Sequence, residues 1–419
     1  MKPPSSLELL RSAPVVRGLL VASLVDSVGT GMYAAGGVIY FTRRLGLTAT
    51  QVGLGVSLGA LVAALCVVLV GRAADRFGVG RMLVGLRLWS AIAFLCFLFV
   101  DGVTVFLLVA CLVAVPERGW HPLASTVVSA VMSAERRTDV LAFMRVLRNS
   151  GFALGGLLAA GSLSITSGWA LSAVIWVNAL SFLGSATLLL VLGAAGPDIQ
   201  RAVSRLRAGT ESTRRVPWRA RLPYLKVAAL DSVCCLHVSL LSIGIPLSVT
   251  LSTDLPTWAV ASAYVFNTVL AVLFQRRVSG ALKASVRSAR VVMGLTLALL
   301  AATCTALALL PGLSLMWGLV CLASTVLVLT AAELSQAAAS WTLALGLAPR
   351  EGSAEIYATF ELGFSAQLVF GPLLVAAAVD HGRGSWVVLA GALLAFVPLV
   401  APVIRRAESR RAHELASSG

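Results

Sequence analysis

Residues 52–81 read VGLGVSLGALVAALCVVLVGRAADRFGVGR. The run from Val52 to Val70 carries no charge, and a helix needs about 20 apolar residues to cross a bilayer. The next segment, Gly71 to Arg81, is a short polar turn crowded with arginine. The same alternation recurs on either side of this stretch. Apolar segments fall near 14–40, 52–70, 82–100, 104–132, 139–163 and 169–192. A second set falls near 227–250, 257–278, 287–310, 314–346, 355–379 and 386–404. The pattern predicts an all-α membrane protein with twelve transmembrane helices in two pseudo-symmetric six-helix bundles, 1–192 and 227–419 with its tail. A basic cytoplasmic linker, 193–226, joins them.

Composition points the same way. The chain is 58% hydrophobic and 12% charged, with a mean hydropathy of +0.92. A soluble domain is typically about 45–50% apolar and about 25% charged, so lipid is the natural solvent here. The net charge of +15 suggests nucleic acid at first sight, but its distribution argues for a membrane. Counting residues at span ends with their loops, 25 of the 33 Lys and Arg lie in the two tails and the even-numbered connections. The odd-numbered connections hold only Arg43, Arg44 and Arg383. By the positive-inside rule both termini face the cytoplasm, and no nucleic-acid partner is expected. Arginine outnumbers lysine 30 to 3, which suits a bacterial plasma (inner) membrane protein. All seven cysteines fall in apolar segments, so no disulfide framework is expected. The first apolar run is too long for a signal peptide and is expected to remain as span 1.

The two halves repeat. Asp26-Ser27-Val28 in span 1 matches Asp231-Ser232-Val233 in span 7, at an offset of 205 residues. Gly155-Gly156-Leu157-Leu158 in span 5 matches Gly371-Pro372-Leu373-Leu374 in span 11, at an offset of 216, which also carries Glu117 onto Glu333 and Arg145 onto Glu361.

An ionisable side chain at mid-bilayer costs roughly 2.5–3.5 kcal/mol on insertion scales, so it faces the bundle interior and is paired or functional. Asp26, Glu117 and Glu333 are the candidates for proton coupling, Asp26 first. Asp26 shares a helix face with Gly29 and Tyr33, and Gly29 and Gly31 are small enough to let a cavity form beside it. Apolar surroundings favour the neutral form of a carboxyl, which suits proton exchange. The other reading is a permanent salt bridge to an arginine such as Arg145 or Arg148. Arg145, Arg148 and Asn149 form one polar stripe on span 5, placed to hold an anionic group or to partner Asp26 and Glu117. Glu361 and Asp231 complete the set of cavity or ion-pair candidates. Gly151 and Gly155 allow span 5 to pack closely on a neighbour. No Walker loop or metal-ligand cluster occurs in the sequence, so neither enzyme chemistry nor a cofactor is expected.

Gly71, Asp75, Arg76 and Gly78 resemble the signature loop of the major facilitator superfamily, with Arg81 one place later than the family's basic positions. Gly280 sits where a degenerate second copy belongs. Arg118-Gly-Trp-His-Pro122, Arg148-Asn149-Ser-Gly151, Phe266-Asn267, Glu333-Leu-Ser-Gln336 and Phe370-Gly371-Pro372 look like segments of bacterial drug-efflux members of that superfamily. The resemblance implies the major facilitator fold, a monomer and alternating access. It also implies that Asp75, with Arg76 and Arg81, anchors a charge cluster gating the cytoplasmic side. The expected function is proton-coupled export of a small amphipathic compound, with small-molecule substrate, protons and lipid bilayer as partners. An uptake symporter for a metabolite and a lipid or lysolipid flippase remain open at this stage.

Overall fold

The computed structural model describes residues 14–164, 168–194, 196–208, 218–281, 286–347 and 353–417. Arg214 and Arg215 of the expected linker lie outside them. The described residues form helices and no strands. The first six are α1 (Pro14–Arg44), α2 (Ala49–Phe77), α3 (Val79–Cys96), α4 (Val103–Val131), α5 (Ala134–Leu163) and α6 (Gly168–Val191). A shorter helix, α7 (Pro197–Ala208), comes after them. The second half contains α8 (Trp218–Cys234), α9 (Ile245–Ser252), α10 (Trp258–Ala281), α11 (Val286–Leu309), α12 (Leu315–Leu347), α13 (Ser353–Asp380) and α14 (Arg383–Ser417).

Among the described residues eleven helices are long and apolar enough to cross a membrane, with Leu222–Ser252 counting as one. The remaining helix of the expected twelve is α5. Its 30 residues suffice for length, but Arg136, Arg137, Asp139, Arg145 and Arg148 make its first half polar. The two halves of the chain cluster into compact units, Met1–Glu211 with Val260–Val265, and Ser212–Ala259 with Phe266–Gly419.

Local chemistry sets the helix ends. Thr48 and Gln51 form a capping box at the start of α2: the Gln51 N–H donates to Thr48 Oγ1 at 3.3 Å, and the Thr48 N–H donates to Gln51 Oε1 at 2.9 Å. At the other end Gly78 has φ +97° and its N–H donates to the Ala74 carbonyl at 3.0 Å. That backbone conformation is one L side chains rarely adopt, so the turn between α2 and α3 requires glycine. Gly71, by contrast, faces open space.

In the first unit α1 packs along both α5 and α6, α2 packs on α4, and α3 packs on α6 and α4. Glycine makes the contacts of α1 close. A Cβ on Gly31 would lie 2.6 Å from the Phe152 backbone, and one on Gly151 would lie 2.6 Å from Ser27 Cβ. A Cβ on Gly155 would collide with the Val28 carbonyl, and one on Gly29 with the Ser181 hydroxyl. These glycines therefore join helices, and Gly29 and Gly31 do not open a cavity beside Asp26 as the sequence suggested. Tyr33 likewise sits in an aromatic cluster, edge-on to Phe94 at 4.8 Å and to Phe41 at 6.2 Å. Toward the arginine-rich end the core is aliphatic, with Leu19, Leu83, Leu123, Val128 and Leu189.

The second unit repeats the pairing scheme. α8 packs on α13 and α14, and α11 packs on α12 and α14, as α1 packs on α5 and α6, and α3 on α4 and α6. The copies differ in one respect. α1 is continuous, whereas the segment after α8 breaks at Cys235 into a single turn, His237–Ser239, and a π turn, Leu240–Gly244, before α9. Pro246 in the first turn of α9 has no N–H to continue the ladder backwards, a recognised cause of such breaks.

α7 falls within the expected linker and packs on the first unit. Ile199 and Val203, one turn apart, are buried in the same aliphatic core as Leu83 and Leu123. The apolar face of this amphipathic helix is therefore used on its own bundle rather than on lipid.

Gly155→Ala is expected to push α5 off α1 and to cost about 1–3 kcal/mol, the range for overpacking a filled interface. Gly161→Ala, on the same helix with nothing within 4 Å, is expected to be neutral or slightly stabilising. Thermal unfolding of the two purified variants separates these outcomes, and equal shifts would contradict the packing described.

Candidate functional site

The first unit holds a charge cluster built from three helices. Asp26 lies midway along α1, Arg87 midway along α3 and Glu117 midway along α4. Arg87 Nη2 is 2.6 Å from Asp26 Oδ2, with the Arg87 and Asp26 side chains only 4% and 6% exposed. The other terminal nitrogen, Nη1, donates to Glu117 Oε1 at 3.2 Å, and Glu117 is 35% exposed. Ser90 Oγ, one turn along α3, lies 3.5 Å from the same oxygen. The guanidinium stacks over the Trp120 ring at 3.7 Å and lies 5.0 Å from the centroid of Phe182. Trp120 is one turn beyond Glu117 on α4 and is itself buried.

Each element of this arrangement has a physical reason. A guanidinium in an apolar interior needs anionic partners, and breaking such a pair by removing one side leaves an uncompensated charge. An aromatic face supplies further stabilisation where water is excluded. Ser185 of α6 stands beside the Asp26 carboxyl. Neither Asp26 oxygen makes an aligned hydrogen bond among the described residues, so charge attraction to Arg87 is what holds it.

The cluster corrects one expectation and adds residues to the rest. The partner of Asp26 is Arg87, not Arg145 or Arg148. Arg145 is exposed on α5, and Arg148 and Asn149 are half-buried there. Arg87 was absent from the expected set although a signal was present: it is the one charged residue between Met82 and Val100. Its recruitment of both acids depends on how α1, α3 and α4 pack, which no spacing in the sequence reports.

In the second unit, the counterpart of Asp26 sits in a different setting. Asp231, 3% exposed, accepts from Gln336 Nε2 at 2.9 Å on Oδ1 and from Ser340 Oγ at 2.9 Å on Oδ2. Both donors are neutral and stand one turn apart on α12. No ion pair involves Asp231 among the described residues, so the ion-pair expectation for it gives way to a hydrogen-bonded carboxyl. Glu333, half-buried on the same helix, accepts from Asn267 Nδ2 at 2.9 Å. Asn267 lies also 3.0 Å from Thr330 Oγ1. Gln367 of α13 donates to Ser239 Oγ at 2.8 Å, while Glu361 is exposed. Asp75, Arg76 and Arg81 are exposed at the α2–α3 turn, with Gly78 buried between them. Among the described residues no group of three or more His, Cys, Asp or Glu is arranged to hold a metal ion.

Comparison with known proteins gives one family. A family model described as the Major Facilitator Superfamily matches residues 19–361. No curated protein sequence matches the chain. Among solved structures, the nucleoside transporter NupG is 14% identical with a TM-score of 0.74, covering 93% of this chain and 98% of that one. A peptide transporter POT in complex with sulfate is 15% identical with a TM-score of 0.69, covering 97% of this chain and 99% of that one. A bacterial homologue of the iron transporter ferroportin, in an inward-facing state, is 14% identical with a TM-score of 0.69, covering 97% and 100%. At these identities the likeness concerns the fold alone.

Arg87→Gln is expected to cost about 3–5 kcal/mol, because Asp26 is left buried without its cation. Adding Asp26→Asn to that variant should recover most of the loss. Asp231→Asn exchanges one hydrogen-bonding group for another and is expected to cost about 1–3 kcal/mol. The thermal midpoints of the four proteins test this. A double variant no more stable than Arg87→Gln would show that the two side chains do not act as a pair.

Proposed function

The chain belongs to the major facilitator superfamily and is a membrane transport protein, and on that premise we propose that it couples proton movement to the export of a small amphipathic compound. The observation that carries the coupling is one guanidinium shared by two carboxylates inside the first bundle. With both acids ionised the cluster has one negative charge in excess, in surroundings where charge is costly. A single proton removes it. Asp26, the first sequence candidate for the proton, is nearly sealed and holds Arg87. Glu117 is more than a third exposed at the edge of the same guanidinium, which supports it over Asp26 as the group that meets the proton. In this reading Asp26 fixes Arg87, Glu117 loads and unloads the proton, and Ser90 accompanies the change at the carboxylate. Glu333 and the Asp231 site are secondary positions for proton exchange.

The buried amides support an amphipathic solute. Asn267, Gln336 and Gln367 donate to Glu333, Asp231 and Ser239 within their own bundle. Engaged in this way, these three amides are less available to a polar solute, which favours a solute bound more by apolar contact. The excess of basic residues in the tails and even-numbered connections supports cytoplasmic termini, with the protein in a bacterial inner membrane. The arginine-bearing α2–α3 turn, with Asp75, then faces the cytoplasm as the gating element. Two halves, 1–192 and 227–419, alternate access as a monomer.

The test uses inside-out vesicles carrying the purified protein, a lumenal pH dye and a panel of lipophilic cations and antibiotics. Solute-dependent proton release is expected in the wild type and absent in Glu117→Gln, while Glu117→Gln still binds the solute. Undiminished proton release in Glu117→Gln would overturn the assignment. Solute movement in the same direction as the proton would replace export by uptake.

A further inference from the structure

A cavity of about 340 Å³ lies in the first unit, between the α2–α3 turn and α7. Its lining includes three arginines from three separate elements: Arg76 from the last turn of α2, Arg81 from the first turn of α3, and Arg201 from the second turn of α7. Among the described residues no carboxylate lines it, and Asp75, next to Arg76, stands at the same turn outside the lining. The neighbouring acid Asp198 is 3.4 Å from Arg201, but the two side chains are 88% and 66% exposed, and a pair so open to water has little strength.

The backbone contributes as well, with two helix starts beside the last carbonyls of α2. Gly80 at the start of α3 and Pro197 at the start of α7 both line the cavity, so two helix N-termini open on it. Each presents the positive end of its dipole. The two starts are held together by Gln200, whose Oε1 accepts from the Val79 N–H at 3.3 Å. Ile199 and Val203 anchor the far side of α7 in the aliphatic core, so the cavity has a fixed wall on each side. Like charges bordering one space repel, and an anion placed there relieves the repulsion. Guanidinium forks match the oxygens of a phosphate particularly well. Phe77, 60% exposed at the rim, offers an apolar surface to whatever the phosphate is attached to.

We propose that this cavity binds a phosphate group, carried by an anionic phospholipid headgroup or by a soluble phosphorylated compound, and thereby fastens α7 to the α2–α3 turn. The assignment does not depend on the transported solute or on proton coupling. Its effect is regulatory: an occupant holds the beginning of the connection between the two halves against the first bundle, and an empty site leaves that attachment to Ile199, Val203 and Gln200.

The test uses full-length protein in maltoside micelles, which contain no phosphate. Dioleoylphosphatidylglycerol and inorganic pyrophosphate are titrated separately and in competition, with bound molecules counted by native mass spectrometry and the thermal midpoint followed in parallel. Gln200→Glu is the central variant, because it keeps the acceptor for Val79 and adds a negative charge to the wall. It is expected to remain folded and to weaken binding roughly tenfold, as one added like charge at contact distance does. The triple variant Arg76→Gln, Arg81→Gln, Arg201→Gln should lose binding, and the control pair Arg405→Gln, Arg406→Gln should keep it. Retention of the lipid alone assigns the site to a headgroup, and displacement of lipid by pyrophosphate assigns it to phosphate in either form. Binding by Gln200→Glu equal to wild type, an equal loss in the control pair, or no binding of either probe would overturn the proposal.

Discussion

A buried guanidinium fixes the first bundle. Arg87 sits where an uncompensated charge is expensive, and the cluster assembled around it is the physical consequence: Asp26 from α1, Glu117 from α4, the Trp120 face and Phe182. For α1 to present Asp26 at that depth it must lie close to α5 and α6. Gly29, Gly31, Gly151 and Gly155 provide the approach. In lipid no hydrophobic drive brings helices together, so close van der Waals packing and polar contacts must do so. The glycines and the ion cluster are thus two parts of one solution. Small residues bring the backbones near, and the charge pair selects the register.

The two halves of the chain share a pairing scheme but not an electrostatic one. Asp26 and Asp231 occupy matching places in α1 and α8, yet the first faces a cation and the second faces Gln336 and Ser340. Protonating Asp26 would leave Arg87 with Glu117 alone, at the exposed edge of the guanidinium. Neutral donors impose no such penalty, since a hydroxyl can turn to accept. The break after α8 adds to the divergence, because the segment around Ser239 and Gln367 has no counterpart in the continuous α1. The repeat therefore conserves architecture while assigning different chemistry to each half.

Much of the architecture was legible in the sequence because it derives from residue type and spacing. Apolar length gave the spans, the polar stretch Gly71 to Arg81 marked the turn between the second and third, and mid-span acids pointed to Asp26, Glu117 and Glu333 as interior polar positions. α5 was legible as well, at 139–163, although its charged first half leaves it outside the eleven helices apolar enough to cross a membrane. What spacing does not encode is partner choice between helices distant in sequence. Arg87 was visible as a lone cation, but its capture of residues 61 positions before and 30 positions after it depends on three-dimensional packing. The same holds for Gly29 and Gly31, whose smallness fits a cavity as well as a contact. It holds also for Ile199 and Val203, whose spacing shows an amphipathic helix without showing that its apolar side belongs to the bundle.

The central claim is that Glu117, at the open edge of Arg87, is the carboxyl that gains and loses a proton. Infrared difference spectroscopy of the purified protein across a pH titration reads protonated carboxyls directly. The account expects the wild-type spectrum to hold a protonated-carboxyl component, beyond that of the other acids, that is missing from Glu117→Gln. A titrating band of the same size in wild type and Glu117→Gln would contradict it, and would place the exchanging proton elsewhere in the chain.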